Sequence, residues 1–411
     1  MKLARPDGSE EHLGYCSNIH PAESWSDVSD NLNHYVLPIQ QKLIGSEPFG
    51  IGLRLSAAAA KDLTQPDTMQ SFKLFLDTNN CYVYTINGFP YGPFHGTRVK
   101  EDVYLPDWKD EERLRYTNEL ADLFAQFLPA DMTGSISTVP GAFKSQVKNK
   151  DDIALITTQL VKHVAHLHQL QQKTGANIVL ALEPEPCCFL ETIDESVNFY
   201  NDWLFAEHSI TQLQSLLSID SSSAEELLHK HLTLCLDLCH AAVEFEDPAM
   251  CLDKLKSAQI NIGKMQISAG LRFNNVNHDT VDLLKPFDDK VYLHQVIERY
   301  NGKINRFTDL PQAFDQLGDK PPTVGKPLTG DSEKREWRVH FHVPIFLDDM
   351  GDYSSTQFFI KEMLKLHKSS PISDHLEVET YTWDVLPAQF KTESIDDAIV
   401  RELDWVRQAL S

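Results

Sequence analysis

Short apolar runs alternate with longer amphipathic stretches along most of this 411-residue chain. The runs are rich in β-branched and other apolar residues and end at polar or turn-forming residues, which is typical of β-strands. The intervening stretches carry apolar residues at steps of three and four, which indicates amphipathic helices. The pattern predicts eight strands, at 12–19, 49–55, 82–86, 134–139, 178–182, 232–237, 262–267 and 375–380.

Eight strand–helix alternations predict an α/β fold of the (β/α)₈ TIM-barrel type. Eight strands also fit a doubly wound open sheet, but no Gly-x-Gly-x-x-Gly motif opens the chain to mark a dinucleotide site. Because such barrels commonly run long as one domain, we expect one domain over residues 1–411.

One region breaks the alternation, between the seventh and eighth predicted strands. This insertion, at about 272–373, holds two further apolar runs, at 290–297 and 337–346. The segment 321–336 between them is rich in Pro, Gly and charged residues, which predicts a mobile surface loop. The two runs form an added hairpin or lid, or one of them is a barrel strand.

Polar side chains follow five of the apolar runs in the second half of the chain. A parallel barrel builds its site where strands end at their carboxyl termini, so these side chains are expected to meet. Hard divalent cations such as Mn²⁺ and Mg²⁺ bind carboxylate and amide oxygens and some imidazoles. The sequence therefore predicts a divalent metal site, with Zn²⁺ as a third candidate ion, from these residues: Glu183, Asp237, Gln266, His342 and Glu379.

Further polar residues lie beside these strand ends. Two prolines flank Glu185, and they stiffen the loop that follows Glu183. His240 follows Asp237 by three residues, a spacing that suits a ligand and a neighbouring substrate or proton-handling group. His340 shares a strand face with His342, because residues two apart on a strand point the same way. Taken singly, such residues also serve as helix caps or as buried core histidines.

Three of these segments resemble a known superfamily. Glu183-Pro-Glu-Pro, Asp237-Leu-Cys-His240 and Glu379-Thr-Tyr381 look like metal-ligand strand ends of the xylose isomerase-like TIM barrels. That superfamily includes sugar isomerases, ketose 3-epimerases and the endonuclease IV group. The resemblance implies that Glu183 and Glu379 bind a metal and move protons, that Asp237 is a ligand, and that His240 binds substrate.

The chain departs from that pattern at the seventh strand. Gln266 stands where the superfamily has a ligand His, although Arg272 lies six residues later, where the superfamily has a substrate-binding Arg. An amide oxygen binds a hard cation more weakly than an imidazole or a carboxylate. Either His340 or His342 from the insertion is then expected to complete the ligand set.

Longer segments are similar to the EboE-type metabolite-traffic proteins of bacterial gene clusters. The similarity lies at residues 12–21, 88–96, 266–271, 337–344 and 377–383 and extends over nearly the whole chain. It implies a role in the processing or export of prenyl- or polyol-derived metabolites.

Charge and hydropathy narrow the expected partners. The formal net charge of −23 argues against nucleic acid or an anionic membrane, since both require a cationic surface. Neither an apolar leader nor a membrane span is apparent, which predicts a cytoplasmic protein with a small polar metabolite as its ligand. A homo-oligomer or a pathway partner protein stays open.

These observations lead to one main functional hypothesis, a metal-dependent isomerase or epimerase of sugar or polyol type. Glu183 and Glu379 move the proton, and the substrate-binding side chains are His240, Arg272, Glu185, His95 and His340. Two alternatives stay open. One is a non-catalytic metabolite-binding or traffic protein on a degenerate isomerase barrel, and the other is a metal-dependent hydrolase of the endonuclease IV type.

Overall fold

The structure is a computed structural model that describes residues 1–5, 7–95, 100–288, 291–317, 334–391 and 393–411. Most of the predicted loop at 321–336 lies outside these residues. Among the described residues, no helix combines the length and apolar character that crossing a membrane requires.

Strands and helices alternate through the described chain. The strands are β1 Lys2–Ala4, β2 Glu10–Tyr15, β3 Phe49–Arg54, β4 Cys81–Asn87, β5 Thr133–Thr138, β6 Asn177–Leu182, β7 Leu232–Asp237, β8 Ile262–Ile267, β9 Ala269–Phe273, β10 Val296–Tyr300, β11 Lys303–Phe307, β12 Glu336–Val343, β13 Ser354–Ser355 and β14 His375–Val378. The helices are α1 Trp25–Asn31, α2 Leu37–Ile44, α3 Ala57–Leu63, α4 Pro66–Thr78, α5 Glu111–Phe124, α6 Lys150–Thr174, α7 Ile193–Phe199, α8 Glu207–Leu217, α9 Ser221–His231, α10 Leu238–Val243, α11 Pro248–Ser257, α12 His278–Leu284, α13 Leu310–Leu317, α14 Gln357–Ser369 and α15 Ile395–Leu410.

Eight parallel strands form a closed barrel. Strands β3 to β8 pair in chain order, and β14 pairs with β8 on one side and with β2 on the other. A parallel bridge between Cys16 and Gly52 joins β2 to β3 and closes the ring. The predicted (β/α)₈ barrel is therefore confirmed, and each of its strands overlaps a predicted one. Helices cover the outside, which explains why the barrel strands are buried along most of their length.

A second sheet lies in the chain between the last two barrel strands. Its order is β11-β10-β12-β9-β13, and all of its pairings are antiparallel. The run at 337–346 supplies most of β12, whereas the run at 290–297 reaches only the first two residues of β10, so neither run is a barrel strand. Arg306 of β11 pairs with Glu244, which follows α10, at 2.6 Å, and Arg338 of β12 donates to the carbonyl oxygen of Ala242. These contacts fix the second sheet over the end of β7.

A fully buried ion pair lies inside the barrel. Lys264 Nζ of β8 is 2.6 Å from Glu377 Oε2 of β14, and neither side chain is exposed. Burial disfavours the charge on Lys264, but Glu377 outweighs that effect and raises the pKa of the lysine. Burial also raises the pKa of Glu377, and Lys264 opposes that rise. At Gly52 a Cβ atom would lie 1.8 Å from Glu377 Oε1, so the glycine makes room for this carboxylate.

Removal of one partner of this ion pair should be costly. We expect Lys264→Met to lower the free energy of unfolding by about 3–5 kcal/mol, because Glu377 would stay buried without a counter-charge. The double variant Lys264→Met/Glu377→Leu should recover most of that loss. Urea denaturation measures both values. Lys361→Met, at a lysine with 54% side-chain exposure, is the control and should change stability by less than about 0.5 kcal/mol. An equal loss in the single and double variants would contradict the expectation.

A second buried carboxylate supports the loop after β14. Glu402 of α15 accepts hydrogen bonds from Ile345 N at 3.0 Å and from Thr380 Oγ1 at 2.8 Å. Burial raises its pKa from 4.5 to about 7, against these two hydrogen bonds. The folded protein therefore binds this proton more tightly than the unfolded chain does. The stability that results is complete below pH 4.5 and is lost as the pH rises through about 7.

Glu402→Gln should consequently change stability in a pH-dependent way. The variant should match the wild type at about pH 4.5 and exceed it by roughly 3 kcal/mol at about pH 8.5, because only the wild-type side chain must ionise. Urea midpoints at the two pH values test this. Glu362→Gln on the exposed face of α14 should show the same difference from wild type at both pH values. A Glu402→Gln difference that does not grow with pH would count against the assignment.

Candidate metal centre and active site

Three carboxylates converge at the carboxyl-terminal end of the barrel. Glu183 follows β6, Asp237 ends β7 and Glu379 follows β14, and all three are buried. One oxygen of each lies within 4.8 Å of the others. The parallel strands bring them together, because residues far apart in sequence share one end of the barrel.

The second sheet places an imidazole beside Asp237, one of these three carboxylates. His342 of β12 has a ring nitrogen within 4.8 Å of ligand atoms of Asp237 and His240. Its Nδ1 lies 2.8 Å from the backbone oxygen of Glu379 and must donate, because a carbonyl oxygen only accepts. Nε2 of the neutral ring therefore carries no proton and offers a lone pair. A backbone acceptor on the distal nitrogen is the usual way in which a ligating histidine is oriented.

Three atoms of this cluster have unused bonding capacity. Glu183 Oε2, Asp237 Oδ2 and His342 Nε2 are buried and find no hydrogen-bond partner within the described part of the chain. Leaving a buried polar atom unpaired costs about 1–3 kcal/mol. Two carboxylate oxygens and an imidazole nitrogen, beside the carboxylate of Glu379, fit a divalent cation such as Zn²⁺ or Mn²⁺.

The side-chain amide of Gln266 is not oriented as the predicted metal ligand would be. Its Nε2 donates to Glu379 Oε2 at 2.7 Å, and its Oε1 accepts from the thiol of Cys235. The amide oxygen thus faces away from the carboxylates and is not positioned as a ligand. The physical reason is that a buried carboxylate attracts the donor end of an amide. Gln266 orients Glu379 in this structure.

Two further amides hold the same carboxylate. Asn18 Nδ2 donates to Glu379 Oε1 at 2.7 Å, and Asn87 Nδ2 donates to it at 3.2 Å. Sequence reasoning missed both asparagines. Asn87 is the last residue of β4 and Asn18 lies just beyond β2, so the criterion of a polar residue at a strand end would have found them. With Gln266, three amide donors fix Glu379.

The pKa values of the three carboxyl groups are shifted in different directions. Burial raises the pKa of Glu183 to about 8, and His240 opposes the rise. Burial and the charge of Glu183 raise the pKa of Glu379 well above its usual range. Burial disfavours the charged form of Asp237 as well, but His240 and His342 outweigh that effect and lower its pKa. Asp237 is thus the carboxylate that is most readily ionised, and a bound cation would favour ionisation of the other two.

A histidine pair lies next to the carboxylates. His240 Nδ1 lies 3.0 Å from the oxygen of Pro184, and His340 Nδ1 lies 2.9 Å from Gln295 Oε1. Both Nδ1 atoms therefore carry protons, since those oxygens only accept. The two Nε2 atoms are 3.0 Å apart, which requires one further proton between them. The pair consequently holds one shared proton and one positive charge.

The orientation of Gln295 determines this assignment. Its Nε2 donates to the hydroxyl of Tyr104 at 3.1 Å and to the oxygen of Pro186 at 3.2 Å, so a flipped amide would place oxygen against oxygen. Tyr104 in turn donates to Glu185 Oε1 at 2.7 Å. Glu185 is 3.6 Å from His340 Nδ1, where its negative charge stabilises the protonated pair.

A cavity of about 540 Å³, which includes its open mouth, leads to these groups. Its floor is polar and its upper wall is mainly aromatic. The residues that line it are Asn18, Asn87, Phe89, Pro90, Phe94, Lys100, Val103, Tyr104, Glu183, Glu185, His240, Tyr292, Leu293, Gln295, His340, Glu379 and Tyr381. The predicted residues Glu183, Glu185, His240, His340 and Glu379 are among them.

Two predicted substrate-binding residues lie elsewhere. Arg272 of β9 pairs with Glu336 at 2.8 Å, and its guanidinium lies 4.9 Å from the ring centre of Phe358. Its neighbours in β9 are buried, so alternation along the strand turns Arg272 to the other face. His95 follows the cavity residue Phe94, but its own ring is not part of the lining, and burial lowers its pKa to about 4. The structure does not support a cavity role for either residue.

Comparison with known proteins gives structural neighbours only. No protein-family model matches the chain, and no curated protein matches it. Among solved structures, the IOLI protein with a binding zinc atom is 12% identical, with a TM-score of 0.48 and coverage of 97% of this chain and 98% of the other.

Two other neighbours have similar values. The probable 3-DHS dehydratase AsbF of petrobactin synthesis from Bacillus anthracis is 12% identical, with a TM-score of 0.45 and coverage of 97% and 98%. A xylose isomerase-like TIM barrel protein from Mycobacterium smegmatis, in complex with magnesium, is 12% identical, with a TM-score of 0.45 and coverage of 100% and 93%. The barrel assignment rests on the strand order described above. Fold and site define a (β/α)₈ barrel with a candidate divalent metal centre.

Metal binding should depend on the cluster of unpaired atoms. We expect the purified protein to retain close to one equivalent of Zn²⁺ or Mn²⁺ after dialysis, and ion at 100 times its dissociation constant to stabilise the fold by about 2.7 kcal/mol. Asp237→Asn and His342→Ala should each weaken binding by roughly tenfold or more, because each removes a ligand atom. Elemental analysis and thermal melting measure the two effects.

His166→Ala is the matched histidine control, since His166 lies on α6 and pairs with Asp122. It should bind the ion as the wild type does. Equal metal content in the wild type and in both site variants would contradict the assigned centre.

Proposed function

We propose that this chain is a metal-dependent isomerase that acts on a polyhydroxylated ketone or aldehyde of sugar or polyol type. The observation that carries the proposal is the position of Glu183, which lines the cavity and whose Oε2 has no partner among the described residues, so that one oxygen can hold the ion while the other takes a proton. The pKa of this carboxyl is raised to about 8 by burial. A general base works best with a pKa near the working pH and with a free oxygen within reach of the substrate.

The ligand set of the proposed centre is Glu183, Asp237, Glu379 and His342. When bound there, a divalent ion supplies charge that polarises a substrate carbonyl and stabilises the anion left by loss of a neighbouring proton. The chain supplies the groups that move protons and orient the substrate.

The two glutamates have different roles in this proposal. Glu379 accepts hydrogen bonds from Asn18, Asn87 and Gln266, so both of its oxygens are occupied and its orientation is fixed. Of the two glutamates, only Glu183 has an oxygen that no described residue occupies. In this proposal Glu183 removes a proton from one carbon and returns it to the adjacent carbon. A single base acts on one face of the substrate, which favours isomerisation over epimerisation, because inversion at a carbon requires an acid on the opposite face.

The histidine pair provides the second proton-handling group. His240 and His340 both line the cavity and share one proton between their Nε2 atoms. Burial opposes the charged form of His240, but Asp237 and Glu185 outweigh that effect and raise its pKa. This pair gives a proton to the substrate carbonyl oxygen as Glu183 removes the carbon-bound proton. It takes a proton from the neighbouring hydroxyl oxygen as Glu183 protonates the adjacent carbon, so that the oxygen-bound proton moves as well.

The domain organisation, the pathway and the class of ligand belong to the same proposal. We infer one barrel domain in which the second sheet supplies His340 and His342 to the site. The resemblance to EboE-type proteins suggests that the substrate is an intermediate in a metabolite biosynthesis or traffic pathway. The net charge of −23 supports a small-molecule ligand over nucleic acid.

Replacement of the proposed base tests the function. Metal-loaded wild type should exchange carbon-bound hydrogen for solvent deuterium in at least one member of a panel of aldoses, ketoses and keto-polyols. Glu183→Gln should lower that rate by roughly 10²–10⁴-fold, because the amide cannot accept the proton. Proton NMR in D₂O follows the exchange, at an ion concentration where elemental analysis shows the same metal content in the variant as in the wild type.

Glu185→Gln is the matched control within the cavity. Glu185 Oε1 accepts hydrogen bonds from Tyr104 and Gln295, so its replacement should cost less than replacement of Glu183. Binding without exchange in the wild type would favour a metabolite carrier. Bond hydrolysis without exchange would favour a hydrolase.

A further inference from the structure

We propose that the substrate carries a flat apolar group, about the size of one six-membered ring, next to its polar reacting end. The inference rests on the proposed function, because it concerns the same cavity. It goes further by specifying the part of the substrate that does not react. The argument depends on how polar and apolar side chains are divided between the floor and the wall of the cavity.

The floor offers only polar groups to a ligand. Glu183, Glu379, Asn18 and Asn87 come from the ends of barrel strands, and His340 comes from the second sheet. All five are buried, so a ligand that reaches them is removed from water. Such a floor accommodates a carbonyl and its neighbouring hydroxyl groups.

The wall above the floor contains a cluster of three aromatic rings. The ring centres of Phe94, Tyr292 and Tyr381 are 5.2–5.4 Å apart in each pairing. They come from the loop after β4, the segment before β10 and the loop after β14. Phe94 and Tyr292 form a hydrophobic cluster of their own, separate from the barrel core. These rings therefore add apolar surface at the cavity beyond what the core requires.

The aromatic wall continues directly into the polar floor. The ring centre of Tyr381 is 6.5 Å from that of the floor residue His340, and Tyr104 donates its hydroxyl to the lining residue Glu185. A single ligand can therefore contact both surfaces at once.

An unsubstituted sugar would find hydrogen-bond partners at the polar floor of this cavity but not along its aromatic wall. Phe89, Phe94, Val103 and Leu293 carry no hydrogen-bonding group, so hydroxyl groups that face them would lose partners they have in water. A planar apolar group would instead stack on the rings in an offset or edge-to-face arrangement. The occupant that fits both surfaces is an α-hydroxycarbonyl compound with an aromatic or other flat unsaturated substituent.

A pair of small α-hydroxyketones tests the inference. 2-Hydroxyacetophenone and hydroxyacetone share the same polar end and differ only in phenyl against methyl. We expect metal-loaded protein to bind the phenyl compound about tenfold or more tightly, as measured by ligand-observed NMR titration. Phe94→Leu and Tyr292→Leu, which keep an apolar side chain but remove a ring, should each reduce this preference by at least about threefold.

Phe358→Ala is the control, because this aromatic side chain is 39% exposed and is not part of the cavity lining. It should keep the wild-type preference. Equal binding of the two ketones, binding of neither, or an unchanged preference in both wall variants would overturn the inference. Circular dichroism verifies that each variant is folded.

Failure of this inference can be told apart from failure of the proposed function. Glu183→Gln should lose deuterium exchange and keep the phenyl preference, since the base is not part of the aromatic wall. A wild type that prefers phenyl but exchanges no hydrogen would overturn the isomerase alone. Exchange without any phenyl preference would overturn the apolar substituent alone.

Discussion

The burial of negative charge at one end of the barrel is the constraint on which the rest of this structure depends. Four carboxylates, of Glu183, Asp237, Glu377 and Glu379, lie in the barrel or at its mouth with almost no exposure to solvent. Lys264 compensates the deepest of them directly. Because an unpaired buried charge is costly, the remaining three require protonation, amide donors, imidazolium charge or a bound cation.

The chain meets this requirement in two different ways. Around Glu379 it places three amide donors, which fix the carboxylate without adding charge. Around Glu183 and Asp237 it leaves oxygens without protein partners, beside an imidazole nitrogen that is also unpaired in the described structure. The first arrangement makes a rigid ligand, and the second makes a place for a cation and a base. This asymmetry is what favours one-base proton transfer over a symmetric pair of glutamates.

In the proposed mechanism, the second sheet is part of the chemistry rather than a cover for it. It supplies His342 to the carboxylate cluster, His340 to the shared proton and Gln295 to the control of that proton. Ion pairs such as that of Arg306 with Glu244 hold it against the barrel. The same inserted segment contributes Tyr292 to the aromatic wall, which links substrate recognition to the metal centre.

The sequence determined the eight barrel strands and the convergence of Glu183, Asp237 and Glu379, because apolar periodicity and polar strand ends are local signals that a parallel barrel brings together. It also pointed to His342, through its alternation with His340 on one strand. Only the tertiary structure decided the roles of Gln266 and Arg272. An amide orients toward whichever charge it meets, and the face that an inserted strand presents depends on the strand with which it pairs. Asn18, Asn87 and the protonation of the histidine pair likewise depend on hydrogen bonds between segments far apart in the chain, which no local pattern specifies.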